Sequence, residues 1–235
     1  MNGRRFARGC LPALLVAWLA ASASTPAYAE PLDDAFRAVS IDNLRDVRRL
    51  VQEHAVDGKS LGPRGDTLLI AAIRDDAVRV TDFLIADRST DLDATNVSGE
   101  SALMIAAYLK KKEVVDKLVA RAEVNRQGWT ALHYAASVGA RDIVGVLLEH
   151  SAYVDAESPN RTTPLMMAAR GNYGDVCRLL IDAGADPTPV NQGDLAAADY
   201  ARRADNGELG QWLDAQVTAW RAKYGTTAGG SAPTR

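Results

Sequence analysis

Cysteine is nearly absent from this chain, with Cys10 and Cys177 as the two thiols among 235 residues. If the N-terminal segment is removed, as argued below, one thiol remains and no internal disulfide can form. Aromatic residues are also scarce, at 6 %, and the apolar residues are mostly Ala, Leu and Val. This composition favours thin helical layers held by packing over an aromatic-rich β-sandwich.

A hydrophobic run long enough for a permanent membrane span is missing as well. The main apolar run, residues 11–23, falls short of the roughly 20 residues that cross a bilayer. It follows the arginines of residues 4–8 and precedes Ala27-Tyr28-Ala29, which is the order of an export signal. We therefore expect residues 1–29 to be a signal peptide, cleaved after Ala29, and the mature chain to be periplasmic or secreted. An uncleaved anchor is the alternative, and the export route, general or twin-arginine, stays open.

Neither sign of charge is in large excess, since Lys and Arg number 27, Asp and Glu number 30, and the net charge is -3. Cleavage after Ala29 would remove three Arg and no acidic residue, which leaves 24 basic against 30 acidic side chains and a net charge of -6. A mildly acidic surface repels phosphate backbones, so nucleic-acid binding is disfavoured.

Catalytic motifs are lacking too. The sequence contains no Gly-rich phosphate loop, His-Glu-x-x-His or Gly-x-Ser-x-Gly pattern. His54 and His150 fall at helix ends and are widely separated, which argues against a His-rich metal site. Cys177 falls in an apolar stripe, where an inert buried thiol is favoured over a nucleophile. We therefore expect no enzyme, no cofactor and no metal site.

What the chain does contain is an internal repeat. Residues 128–139 read Gly-x-Thr-x-Leu-His-x-Ala-Ala-x-x-Gly, and positions equivalent to the first Ala of the pair recur at spacings of 33, 34, 29, 33 and 33. These aligned positions are Val39, Ala72, Ala106, Ala135, Ala168 and Ala201. Three residues before each stands a predicted core residue: Phe36, Leu69, Leu103, Leu132, Leu165 and Ala198. An apolar stripe with i, i+3, i+4 spacing begins eight residues after each aligned position, so every unit is predicted to be a pair of helices.

The turn between the two helices of each unit is predicted four residues after the aligned position. The residues there are Asn43, Asp76, Lys110, Gly139, Asn172 and Asp205. Gly, Asn and Asp tolerate the positive φ that often ends a helix. Lys110 is the exception, and we expect its turn to be strained or extended.

The short spacing of 29 between Ala106 and Ala135 indicates a deletion. The connection at residues 120–127 is about four residues shorter than its counterparts. We expect the projecting β-turn between the third and fourth units to be truncated, which would leave a notch in the row of turns.

The unit resembles an ankyrin repeat, whose opening signature is Thr-Pro-Leu-His. Thr163-Pro164-Leu165 matches this signature in the fifth unit, and Thr130 with His133 matches it in the fourth. The resemblance implies an all-α fold, an ankyrin-repeat solenoid of about six helix-turn-helix repeats joined by β-turn fingers. It also implies that His133 ties neighbouring repeats together by hydrogen bonds.

We expect the ankyrin-repeat domain to cover residues 30–216. Its repeats are placed at about residues 32–61, 65–96, 99–126, 128–157, 161–191 and 193–216. A C-terminal helix extension at residues 217–224 would cover the last repeat. Residues 225–235 are small and polar, and we expect them to be disordered.

The resemblance also implies a protein-binding surface on the finger tips and on the exposed side of the first helices. Its predicted residues are Asp66, Arg74, Asp75, Glu100, Tyr108, Leu109, Trp129, Ser137, Val138, Thr162 and Arg170. Tyr108, Leu109 and Trp129 lie in adjacent repeats and form a candidate hot spot. For Trp129 an alternative stays open, in which its ring folds into the space left by the shortened finger.

The function that we expect is a non-catalytic protein-interaction scaffold in the bacterial periplasm, without stable membrane insertion after cleavage. It would act as a monomer on a protein partner, with envelope stress defence as one candidate role. The alternative is an immunity or inhibitor protein whose acidic, notched groove fits a basic toxin or hydrolase. A small hydrolase is the least favoured. The identity of the partner, the affinity and the oligomeric state stay open.

Overall fold

The computed structural model describes residues 29–225, with side chains described from residue 31 onward. The signal peptide predicted for residues 1–29 therefore lies outside the described residues, apart from its last position. The tail predicted to be disordered at residues 225–235 also lies outside them, apart from Gly225.

The described part of the chain forms twelve α-helices. They are α1 (Ala29–Ser40), α2 (Leu44–Gln52), α3 (Leu68–Arg74), α4 (Val78–Ala86), α5 (Ala102–Tyr108), α6 (Lys112–Leu118), α7 (Ala131–Ser137), α8 (Arg141–Glu149), α9 (Pro164–Arg170), α10 (Gly174–Asp182), α11 (Ala197–Arg203) and α12 (Gly207–Tyr224). Within residues 29–225, β-structure is limited to an isolated antiparallel bridge between Thr95 and Ser101. The predicted all-α fold is confirmed.

The helices alternate between two layers. Each odd-numbered helix contacts the next odd-numbered helix, from α1 through α11, and the even-numbered helices from α2 through α10 do the same. Every repeat thus contributes one helix to each layer. A single helix pair could bury one face only, and the stacking of neighbours supplies the rest of the core.

Small side chains let the two layers approach closely. The aligned alanines are all fully buried at 0 % exposure: Ala72, Ala106, Ala135, Ala168 and Ala201. Leucines three residues earlier fill the space between the layers in the second to fifth repeats, and they are 1 to 2 % exposed. The core is therefore continuous along the stack, as close packing requires.

The first repeat is shifted by one residue from the predicted alignment, which used Val39. Its left-handed turn residue is Asp42, at φ 50, and Asn43 instead caps α2 through its side chain. The core position predicted for Phe36 belongs to Ala35, which is fully buried, whereas Phe36 is half-buried. The prediction is wrong here because Val39 is also fully buried, so hydrophobicity did not distinguish two adjacent registers.

The other five turns have the predicted left-handed residues, and these are Asp76, Lys110, Gly139, Asn172 and Asp205. The Lys110 turn is not extended, since the Lys111 N–H donates to the Ala106 carbonyl oxygen at 2.9 Å. The equivalent bond in the fourth repeat, from Ala140 to Ala135, measures 3.0 Å. A φ of 58 at Lys110 is strained, because a Cβ crowds the backbone in that region.

Threonine caps begin first helices where the Thr-Pro-Leu signature places them. The Thr67 hydroxyl accepts a hydrogen bond from the Ile70 N–H at 3.3 Å, and the Thr163 hydroxyl accepts one from the Met166 N–H at 3.4 Å. Pro164 takes the first position of α9, where the N–H that proline lacks would have no helical partner. These caps fix where each first helix leaves its finger.

The fingers differ in how they close. Four of them have a backbone hydrogen bond from the N–H of the first residue to the carbonyl oxygen of the last: 62–66, 96–100, 158–162 and 191–195. Among the described residues, the finger at 125–129 lacks this bond. Helix α6 before it has 7 residues, where α4, α8 and α10 have 9. The deletion between the third and fourth repeats therefore shortens α6 and the connection that follows it, residues 119–130, while the finger itself keeps five residues and the predicted truncation of the finger is wrong.

Neighbouring fingers are linked on both sides of this gap. The Val97 N–H donates to the Gly65 carbonyl oxygen at 3.0 Å, and the Gln192 N–H donates to the Asn160 carbonyl oxygen at 3.0 Å. The middle finger is held instead by the side chain of Asn125, which bonds to the backbone just after α8. The row of fingers is thus interrupted near its middle.

The last helix continues beyond the repeat pattern. Helix α12 has 18 residues and begins beside Asn206, whose side chain accepts a hydrogen bond from the Leu209 N–H at 2.9 Å. It includes residues 217–224, where the sequence predicts a helical extension. No helix within residues 29–225 combines the length and the hydropathy needed to cross a bilayer.

Candidate protein-binding surface

One side chain near the end of each first helix from α3 to α11 faces away from the core, seven residues after the cap. The odd-numbered helices pack side by side in order, so these side chains form a row along the stack. The row consists of Arg74, Tyr108, Ser137, Arg170 and Arg203. We use "the groove" for this row together with the residue after each member and the finger residue before each cap.

The predicted groove residues near the helix ends differ in exposure. Four are exposed: Arg74, Tyr108, Leu109 and Arg170. Three are half-buried: Asp75, Ser137 and Val138. Tyr108 is 49 % exposed and Leu109 beside it is 36 % exposed. They form an apolar step on an otherwise polar row, which is a feature of interaction sites.

Two residues predicted to face outward are buried, since Asp66 is 5 % exposed and Thr162 is 4 % exposed. Each is the last finger residue before a capped helix, where the chain turns back into the stack. Asp66 accepts a hydrogen bond from Asn96 Nδ2 at 3.1 Å. Thr162 Oγ1 accepts one from Asn191 Nδ2 at 3.5 Å. The predicted orientation is wrong for both because these side chains connect one finger to the next.

Glu100 is half-buried and joins three repeats. Its Oε2 accepts hydrogen bonds from Asn96 at 2.8 Å and from Arg74 at 3.2 Å. Its Oε1 accepts one from the Tyr134 hydroxyl at 2.9 Å. Burial, together with the Glu100 carboxylate, raises the pKa of the Tyr134 phenol. The phenol therefore stays protonated and serves as the donor.

Asp66 and Asp75, the other carboxylates in the N-terminal half of the groove, are also paired with arginine. Arg64 makes two hydrogen bonds of 2.7 Å to the Asp75 carboxylate, which is the strong bidentate arrangement. Arg74 Nε lies 3.1 Å from Asp66 Oδ2. Asp66, Asp75 and Glu100 thus share two arginines, since Arg74 serves both Asp66 and Glu100, and most of the acidic charge that the sequence suggested for the N-terminal half of the groove is compensated.

The C-terminal half of the groove carries positive charge instead. Arg170 and Arg203 are exposed, and no ion pair within residues 31–225 includes either of them. The adjacent Arg202 does pair, with Asp199 at 3.2 Å and also with Asp214. The carboxylates of Asp199 and Asp214 are thus already paired with Arg202.

The sequence left open whether the Trp129 ring is exposed or folded inward, and in the structure it is folded inward. It is half-buried and packs against the core. Its ring meets the His133 ring edge to face, with centroids 5.2 Å apart and planes at 73°. The exposed apolar step therefore consists of Tyr108 and Leu109 without Trp129.

His133 connects the fourth repeat to the fifth, as the resemblance implies. Its Nδ1 accepts a hydrogen bond from the Thr130 N–H at 3.2 Å, and its Nε2 donates to the Thr162 carbonyl oxygen at 2.9 Å. Burial lowers the pKa of the imidazole to about 4. At neutral pH the ring is therefore uncharged, with both nitrogens engaged in structural hydrogen bonds.

Cys177 is fully buried in α10. Burial raises the pKa of its thiol to about 12, so the reactive thiolate is suppressed, as expected of an inert structural cysteine. Within residues 31–225 no group of three or more His, Cys, Asp or Glu side chains is placed to hold a metal ion.

Several residues in or beside the groove were missed at the sequence level. Arg203 lies 33 residues after Arg170, so a continuation of the row by one period would have found it. Arg64, Asn96 and Tyr134 give no such signal. Arg64 bonds to Asp75 at the end of α3, Asn96 bonds to Asp66 of the preceding finger, and Tyr134 of α7 bonds to Glu100, and none of these contacts follows from the repeat period.

The stacked helix pairs, the left-handed turns and the inter-repeat histidine bond define a helix-turn-helix repeat solenoid. The family described as Ankyrin repeats (3 copies) matches residues 35–127 and 110–191. The chain belongs to the ankyrin-repeat family. Ankyrin repeats indicate a scaffold for protein–protein interaction and imply a protein partner, and the family is typically non-catalytic.

The chain is also similar to part of the neurogenic locus notch homolog protein 1 of several vertebrates. The identity over 127 residues is 38 % for the Xenopus tropicalis protein, 37 % for the Xenopus laevis protein and 35 % for the Homo sapiens protein. Each match covers 52 % of this chain and 5 % of the relative. The chain thus matches a small part of these relatives, and the similarity concerns the repeats alone.

Proposed function

We propose that this chain is a non-catalytic scaffold that binds a protein partner in the groove, with Tyr108 and Leu109 as apolar anchors. The observation that carries the proposal is their exposure, 49 % and 36 %, in a row whose other members are charged or small. An exposed aromatic residue beside an aliphatic one is suited to a binding hot spot.

The surroundings of this apolar step support its use as an interface. Tyr108 packs edge to face on Tyr134, with ring centroids 6.1 Å apart, and Tyr134 is in turn held by Glu100 at 2.9 Å. The anchor therefore stands on side chains that are already fixed in position. Preorganisation of this kind lowers the entropy that binding would otherwise cost.

The proposed place of action is the periplasm, and envelope stress defence is the proposed setting. The proposal for location rests on the export-signal order of residues 1–29. N-terminal sequencing of the chain from a fractionated bacterial host tests it. We expect the periplasmic fraction to hold a chain that starts at Glu30, and recovery of the intact N-terminus in the cytoplasm would contradict the proposal.

The alternative of an immunity or inhibitor protein depended on an acidic groove for a basic target. The pairing of Asp66, Asp75 and Glu100 with Arg64 and Arg74 weakens that support, because it compensates most of the acidic charge. The hydrogen bonds of His133 and Asp75 disfavour a hydrolase. Both nitrogens of His133 are engaged, and Asp75 is bound in two places by Arg64.

The experiment that tests the binding function is a pull-down from an envelope extract with the full chain immobilised. A Tyr108→Ala/Leu109→Ala variant is compared with wild type and with Tyr153→Ala. Tyr153 is 69 % exposed and follows α8, in the other layer, which makes it a matched control. We expect wild type and Tyr153→Ala to retain the same partner, identified by mass spectrometry, and the double variant to lose it. Equal retention by the double variant would contradict the proposal.

A further inference from the structure

The groove changes character along its length. In its N-terminal half Asp75 pairs with Arg64, while Asp66 and Glu100 share Arg74. The exposed apolar step, Tyr108 and Leu109, follows at the end of α5. In the C-terminal half of the groove, Arg170 and Arg203 are exposed and form no ion pair within residues 31–225. On a chain with net charge -3, this end of the groove is locally positive.

The distance between the apolar step and the arginines fits a short extended peptide. Tyr108 ends α5 and Arg170 ends α9, with α7 packed between them. Two steps of 8–10 Å between packed helices put the two side chains about 16–20 Å apart. An extended chain rises about 3.3 Å per residue, so about five or six residues cover that distance.

The surface between these points offers little to obstruct a bound backbone. Ser137 and Val138 at the end of α7 are uncharged and half-buried. The finger before α7 is the one without a closing backbone bond, and its Trp129 is packed inward on His133. A peptide can therefore lie across the end of α7 without meeting a charged side chain there, and the half-buried Tyr173 ring packs against Gly139 and Gly171 beside this path.

We propose that the groove binds an extended acidic segment of the partner protein. A large apolar side chain of this segment contacts Tyr108 and Leu109, and an Asp or Glu five or six residues away pairs with Arg170. A second carboxylate further along reaches Arg203. The planar guanidinium group of arginine matches the geometry of a carboxylate. Exposed charge pairs contribute little affinity, and they mainly determine which sign of charge the partner carries and how fast it associates. This inference rests on the proposed function and specifies its partner.

The test is selection from a random dodecapeptide library displayed on phage, with the full chain as bait. Wild type is panned in parallel with Arg170→Glu/Arg203→Glu and with Arg45→Glu/Arg141→Glu. The last pair has the same charge change at exposed arginines on second-layer helices. Circular dichroism confirms that all three baits are folded.

We expect wild type and the Arg45/Arg141 control to select peptides with Asp or Glu about five or six positions from a large apolar residue. The Arg170/Arg203 variant should select Lys or Arg at those positions. It should also bind the wild-type peptides about tenfold or more weakly. Selection without an acidic bias, a bias that survives charge reversal, or no enriched peptide at all would overturn the inference.

The two proposals fail in different ways. If the natural partner is lost by Tyr108→Ala/Leu109→Ala but kept by Arg170→Glu/Arg203→Glu, the scaffold function stands and the acidic segment is wrong. If the partner is kept by both variants, the groove is not the binding surface and both proposals fall.

Discussion

His133 Nε2 donates a hydrogen bond to the Thr162 carbonyl oxygen, 2.9 Å away, across the boundary between the fourth and fifth repeats. Because Nδ1 of the same ring accepts from the Thr130 N–H, the tautomer with a proton on Nε2 is fixed. One side chain thus closes a helix cap and joins two repeats, and its loss affects both.

We expect His133→Ala to lower the free energy of unfolding by about 2–4 kcal/mol, since it leaves buried backbone groups unpaired and opens a cavity. Urea unfolding of the full chain measures this. His150→Ala is the control, because His150 is exposed and should change stability by less than about 0.5 kcal/mol. Equal effects of the two substitutions would contradict the structural role of His133.

Mild acid should weaken the fold through the same residue. The native state holds the His133 pKa at about 4, below the ordinary value of 6.5, so the unfolded chain binds this proton more readily. The contribution is complete above about pH 6.5 and declines toward pH 4, by on the order of 3 kcal/mol. Urea midpoints between pH 7.5 and 4.5 measure it. His133→Met introduces the residue that the fifth repeat has at the equivalent position, Met166. This variant should lose the pH dependence of the urea midpoint, and an unchanged pH dependence would refute the assignment to His133.

Asp155 is expected to act in the opposite direction. Burial raises its pKa to about 6 from 3.8, even though the Asp186 N–H donates to it at 3.0 Å. The native state therefore favours the protonated acid, and stability is lost as the pH rises through 6. Asp155→Asn keeps the acceptor oxygen and removes the charge, so we expect about 1–2 kcal/mol of stabilisation at pH 8 and little at pH 4. Thermal unfolding at the two pH values is the measurement, and equal shifts would count against the charge effect.

Two glycines of the fourth repeat should respond to alanine with opposite signs. At Gly145, inside α8, an added Cβ would meet no heavy atom within 4 Å, so Gly145→Ala should stabilise by about 0.5–1 kcal/mol. Gly139 has φ 67, and a Cβ there would run into the Tyr173 ring. Gly139→Ala should therefore destabilise by about 1 kcal/mol or more. Denaturant midpoints of both variants decide this, and a shared sign would be the contrary result.

Trp129 and Tyr108 should separate stability from binding. Trp129→Ala removes a ring packed on His133 and the core, and we expect it to cost about 2–4 kcal/mol of stability. Tyr108→Ala should cost less than about 1 kcal/mol, because that side chain is 49 % exposed, but it should weaken partner binding about tenfold or more. Calorimetry with the captured partner, below the unfolding temperature of both variants, measures the affinities. Weakened binding by folded Trp129→Ala would restore Trp129 to the hot spot.

The repeat period predicted the stack because two independent sequence patterns, the small core residues and the turn residues, recur with the same period. Buried alanines such as Ala135 and left-handed turn residues such as Asn172 recur at the same spacing, and each pattern supports the other. In the first repeat the hydrophobic signal was ambiguous between Ala38 and Val39, which are both buried. Turn geometry, with Asp42 at positive φ, settled a register that periodicity could not.

The finger residues were less predictable because their surroundings come from other repeats. Asp66 is buried by Asn96, 30 residues away in sequence, and the repeat pattern does not encode that contact. The charge of the groove has the same origin. Net composition is acidic, but the local sign depends on which carboxylates meet arginines and on Arg170 having no such partner.

Lys110 bears on how selection has acted on this chain. It holds the left-handed turn of the third repeat at φ 58, where the other repeats use Gly, Asn or Asp. Natural proteins need only exceed a threshold of stability, so a residue that suits its turn poorly can persist if the rest of the stack compensates. The third repeat is therefore less stable than its turn could allow. A consensus-guided substitution at Lys110 would be a natural way to raise the stability of the stack.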